Sequence, residues 1–97
     1  MKKSVKIVVS GKVQAVGLRE FVSKQAEKFE VQGTIQNSSD GTVMIYAQGT
    51  DDGIEDLIDS IYRGSPKSKV ENVSVDILST PKDFRGIFRV IGEEQRK

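Results

Sequence analysis

Hydrophobic residues change period several times along this chain, and each change marks an element. Residues 5–10, VKIVVS, are β-branched and predict a first strand. From Leu18 the spacing becomes helical: Leu18, Phe21, Val22, Ala26 and Phe29 share one face, while Glu20, Lys24, Glu27 and Lys28 lie mostly opposite. That predicts an amphipathic helix of about three turns. Residues 31–37 (VQGTIQN) and 41–49 (GTVMIYAQG) are β-rich, and the Asp40–Gly41 pair between them predicts a hairpin. A second helix is predicted within TDDGIEDLIDSIYRG, residues 50–64. Thr50 or Asp51 caps it, acidic residues fill its first turn, and Gly64 follows its end. Its buried stripe is Ile54, Leu57, Ile58 and Ile61. The run VENVSVDIL alternates through Val73, Val75 and Ile77, as a strand with one face in water does, and IFRVI predicts a short closing strand.

The predicted order is βαββαβ with one extra short strand. Its simplest layout is the ferredoxin-like α+β sandwich: a four-stranded antiparallel sheet, with room for a short fifth strand, and two helices on one face. A chain of 97 residues predicts a single domain over residues 1–97, with residues 92–97 as a frayed tail. That fold hosts many functions, so function has to come from the residues.

Composition narrows the chemistry. Cysteine is absent, which excludes disulfides, thiolate nucleophiles and cysteine-ligated zinc. Histidine is absent too, which excludes a serine–histidine triad and an imidazole base. Carboxylates, hydroxyls, amides, lysine, arginine and water are left. The net charge of +1 argues against a nucleic-acid partner. No apolar run approaches the length of a membrane span, so no membrane partner is expected and a cytoplasmic location is.

The connection between the first strand and first helix, GKVQAVGLR (residues 11–19), is unusual in being small, apolar and glycine-bearing. One reading is an ordinary turn in which glycines supply backbone freedom. The other is an anion cradle. A loop that opens a helix leaves backbone N–H groups pointing outward, the helix dipole adds partial positive charge, and Arg19 supplies a forked guanidinium. The Walker pattern does not fit, because Leu18 follows Gly17 where a lysine and a hydroxyl residue belong; the dinucleotide glycine spacing is absent as well. Within QNSSDG (residues 36–41), Ser38, Ser39, Asp40 and Gly41 read as turn chemistry. Asn37 ends a strand instead, where its amide has two readings: a strand-end residue, or one holding a water by its oxygen with its NH2 towards a ligand.

Together GKVQAVGLR and NSSDG resemble the acylphosphatases, which carry a G-x-V-Q-G-V-x-F-R loop after the first strand and an N-x-x-D-G hairpin between the second and third. The stretch GSPKSKVENV (residues 64–73) resembles a third family segment, and the likeness covers roughly residues 4–91. The resemblance implies the ferredoxin-like fold and hydrolysis of small-molecule acyl phosphates to carboxylate and phosphate, with no cofactor and no metal. It implies that Arg19 binds the phosphate with the backbone amides of Gln14, Ala15, Val16, Gly17, Leu18 and Arg19. It also implies that Asn37 orients the attacking water and that phosphate or sulfate occupies the loop. A monomer is expected. The chain departs from the family pattern at Ala15 (usually glycine), at Leu18 and Thr34 (usually aromatic) and at a reduced proline pair, now Ser65–Pro66.

Ala15 motivates the alternative of a catalytically weak or inactive phosphate- or partner-binding domain. An RNA-binding module shares the βαββαβ order but stacks bases on aromatics in its two central strands. Here those strands offer Tyr46 alone. DDGIED lacks the spacing of a calcium loop and reads as an acidic helix start.

Overall fold

The computed structural model describes residues 2–81 and 83–91; the tail expected to fray, 92–97, lies outside them. The elements run β1 (Lys2–Lys12), α1 (Leu18–Lys28), β2 (Gln32–Asn37), β3 (Val43–Thr50), α2 (Asp51–Arg63), β4 (Lys69–Ile77) and β5 (Phe88–Val90). They form one five-stranded sheet in the order β4-β1-β3-β2-β5. β1 lies antiparallel between β3 and β4, and β2 is antiparallel to β3. The fifth strand is real and runs parallel to β2, pairing Gly33 with Phe88 and Ile35 with Val90. This is the α+β, ferredoxin-like arrangement, with β1 and β3 in its centre.

Alternation decides which face is covered. Val5, Ile7, Val9, Ile35, Val43, Ile45 and Ala47 point to one side and are buried. Both helices pack there, α1 through Leu18, Val22 and Ala26 and α2 through Ile54, Leu57 and Ile61. Each valine, leucine or isoleucine among them contributes roughly 1.5–3 kcal/mol on full burial. Ile58 is half-buried at the edge of its stripe. Thr50 caps α2 by accepting the Gly53 N–H at 3.0 Å.

One element departs from its pattern. In β4 the alternating residues do not end in the core: Val73 packs on it, but Val75 is 40% and Ile77 73% exposed. Their register partners on β1, Ile7 and Val5, are buried. β4 is the sheet edge; the helices reach its first half, where Val70 and Val73 pack on the core, and leave Val75 and Ile77 exposed. Among the described residues no helix is long and apolar enough to cross a membrane.

Candidate active site

The loop between β1 and α1 is placed by anchors at both ends. Register between β1 and β4 shifts at Ser10/Gly11: Glu71 of β4 is passed over, and Gly11 and Lys12 stay paired with Val70 and Lys69. Gly11 has φ +119°, and a Cβ there would lie 2.3 Å from the Lys69 carbonyl oxygen, so no side chain fits. Val13 and Leu18 then sink into the core. Residues 14–17 must cross the surface between them.

They do so with two left-handed residues, Ala15 (φ 59°) and Gly17 (φ 79°), on either side of Val16. Left-handed and ordinary residues in alternation turn successive N–H groups towards a common side, the geometry of a nest. Among the described residues the N–H groups of Gln14, Ala15, Val16, Gly17 and Leu18 donate to no other protein group, and no side chain caps α1. The positive end of the helix dipole lies at the same place. Ala15 thus keeps the left-handed shape that a glycine adopts freely, at about 1 kcal/mol for its methyl.

Three long-range contacts hold the surroundings. Gln14 Nε2 donates to the carbonyls of Ser38 and Thr42, both at 2.8 Å, and so ties the loop to the β2–β3 hairpin. Arg19, in the first turn of α1, donates from Nη1 to the Ile91 carbonyl at 2.9 Å, just beyond β5. The buried Ser65 donates from Oγ to the Val16 carbonyl at 2.9 Å. Sequence reasoning enlisted Gln14 for its backbone alone and missed all three contacts. A carboxamide inside an otherwise apolar loop was the one available signal, since such a group has to find partners.

The fold brings together most of the predicted residues. Gln14, Ala15, Arg19 and Asn37 line one cleft with Ser38 and Ser39. Ala15, Gly17, Leu18 and Arg19 line the adjoining one, closed by Val13, Glu20 and Val90. Val16 lines neither: it borders a third groove, with Phe21, Ser65 and Pro66. Asn37 is half-buried at the last position of β2, and its Oδ1 is sheltered from solvent. Asp40 behaves as the turn residue it was expected to be. Its Oδ1 accepts from the Thr42 hydroxyl at 2.6 Å and from the Thr42 N–H at 3.0 Å. Those bonds, the hydroxyl's first, hold its carboxyl below the usual aspartate range.

The acylphosphatase family model matches residues 5–90, nearly the whole described chain. The chain belongs to the acylphosphatase family. The acylphosphatase of Salinibacter ruber is 38% identical over 89 residues, spanning 92% of this chain and 93% of the relative. The crystal structure of the acylphosphatase from Bacillus subtilis superposes with a TM-score of 0.88 at 33% identity, over 95% of this chain and all of the other. The solved structure of an acylphosphatase from Coxiella burnetii gives 0.85 at 34% identity, over 93% of each chain. As an acylphosphatase the protein is a hydrolase of acyl phosphates, and its cleft, at the junction of β1, α1 and the β2–β3 hairpin, is the candidate place for that chemistry.

Proposed function

We propose that this acylphosphatase binds the phosphoryl group of a small-molecule acyl phosphate in the 14–19 loop and hydrolyses it by direct attack of one water. The N–H groups of residues 14–19 and the Arg19 guanidinium hold the phosphoryl oxygens, and the Asn37 amide orients the water. The water oxygen bonds to phosphorus as the bond from phosphorus to the acyl oxygen breaks. The electron pair leaves with the carboxylate, and the water's proton passes to a phosphate oxygen. Carboxylate and inorganic phosphate are the products. One observation carries this reading: backbone donors with no acceptor among the described residues stand in the same clefts as Arg19 and Asn37.

The available groups suit the reaction. A carboxylate of low pKa leaves without a general acid, so the missing histidine is no handicap. What remains is to place the water in line and to stabilise charge on the phosphoryl oxygens. Asp40 is a poor base here, because both Thr42 bonds favour its ionised form and weaken it as a proton acceptor. The substrate's own phosphate takes that part.

Benzoyl phosphate hydrolysis tests it. Arg19→Ala should lower kcat/KM by about 10³-fold or more, as arginines do in other phosphoryl transfers. Asn37→Ala should lower it by about 10²-fold or more, in line with the loss of one oriented polar group at a reacting centre. Circular dichroism should stay unchanged in both. Wild-type rates in the two variants would overturn the proposed site.

A further inference from the structure

Ser65 lies 49 residues from Val16 in sequence, yet its hydroxyl reaches the carbonyl in the middle of the loop. It is 6% exposed and follows directly on the end of α2. Its own backbone has little freedom. Pro66 biases it towards an extended conformation. The Ser68 N–H and Ser68 hydroxyl both donate to the Ser65 carbonyl, at 3.0 and 2.9 Å. Gly64, at φ 70°, lets Ser68 pack so closely that a Cβ at 64 would meet Ser68 Oγ. The hydroxyl is therefore presented from a stiff platform.

The peptide it grips has Val16 packed on the core before it and the Gly17 carbonyl accepting from the Phe21 N–H at 3.1 Å after it, with open space where a Gly17 Cβ would be. No peptide bond in the described chain is cis. In a planar trans peptide the C=O and the following N–H point in opposite directions. A hydroxyl that draws the Val16 carbonyl to one side of the loop therefore turns the Gly17 N–H to the other. Gly17 borders two clefts, one with Ser65 and Pro66, the other with Ala15 and Arg19.

We propose that Ser65 is a positioning residue for the phosphoryl group: by holding the Val16 carbonyl it aims the Gly17 N–H into the cleft that Arg19 lines. Ser65 touches no reacting atom and acts through this peptide alone. The inference rests on the proposal that the loop binds phosphate, and the controls separate the two.

Benzoyl phosphate kinetics, with inorganic phosphate as competitive inhibitor, are compared for wild type, Ser65→Ala, Ser65→Thr, Ser4→Ala and Arg19→Ala. Ser65→Ala should raise the phosphate Ki by about 3- to 10-fold, the loss expected when one hydrogen bond no longer preorganises the site. Ser65→Thr keeps a hydroxyl and should return the Ki towards wild type. Ser4→Ala removes a comparable buried serine bond, from Ser4 Oγ to Gln48 Oε1 at 2.6 Å, and should lower the thermal midpoint without moving the Ki. An unchanged Ki in Ser65→Ala beside a collapsed Arg19→Ala overturns the role of Ser65 and leaves the site standing. Phosphate inhibition and turnover untouched in Arg19→Ala overturn the site itself. If Ser65→Ala does not fold, the wild-type protein still decides: phosphate titration must shift the Gly17 amide resonance, and a Gly17 amide that stays put overturns the inference.

Discussion

At the scale of single residues the loop turns on Ala15. Its φ of 59° is where a side chain costs about 1–2 kcal/mol and glycine costs nothing. Ala15→Gly relieves that strain but adds chain entropy to the unfolded state, a penalty of about 0.4–1 kcal/mol. The two differ by enough to predict a small gain, about 0.5 kcal/mol, seen as a higher urea midpoint at constant slope. A lower midpoint would show that the methyl is held without strain. Turnover should not fall, because the loop already has its left-handed shape with alanine in place. Gln14 is the other residue whose role exceeds its position: one NH2 bonded to two hairpin carbonyls sets the distance from the loop to Asn37.

At the scale of elements the site is a meeting of ends. The register shift at Ser10/Gly11 lies two residues before the loop begins, and β1 stays paired with β4 through Lys12. Gly11→Ala forces a Cβ against the Lys69 carbonyl, in a backbone conformation that L side chains rarely adopt. It should cost at least about 2 kcal/mol in urea unfolding. It should also lower kcat/KM in the fraction that stays folded, since it moves the base of the loop. An unchanged midpoint would mean that β4 yields without cost. β5 is short, but its parallel pairing with β2 brings the carbonyl of Ile91 over α1, where it holds Arg19. A strand of three residues adds little burial and fixes the direction of a guanidinium.

For the molecule as a whole, stability and catalysis draw on different regions. The core lies between the sheet and the two helices, and Leu57 in α2 is fully buried there. Leu57→Ala should remove about 2–5 kcal/mol, the range for a buried leucine replaced by a cavity. At temperatures where the variant remains folded, kcat/KM should match wild type, because Leu57 lines neither cleft. A selective loss of activity would mean that α2 transmits packing to the loop through Ser65 at its end.

Much of this protein was legible in its chain of residues. The two helices, the hairpin at Asp40–Gly41, the cap at the start of the second helix and the order of elements along the chain follow from periods and turn chemistry that act over a few residues. The pairing of GKVQAVGLR with NSSDG pointed to the family, and the folded chain brings Arg19 and Asn37 to one cleft. Tertiary structure alone decided how Arg19 and the loop are held. The partners are carbonyls of Ile91, Val16, Ser38 and Thr42, and every residue carries a carbonyl, so nothing in the letters singles those four out. It also decided that Val75 and Ile77 stay exposed, because alternation tells which way a side chain points, while only the packed helices determine whether anything lies there to cover it.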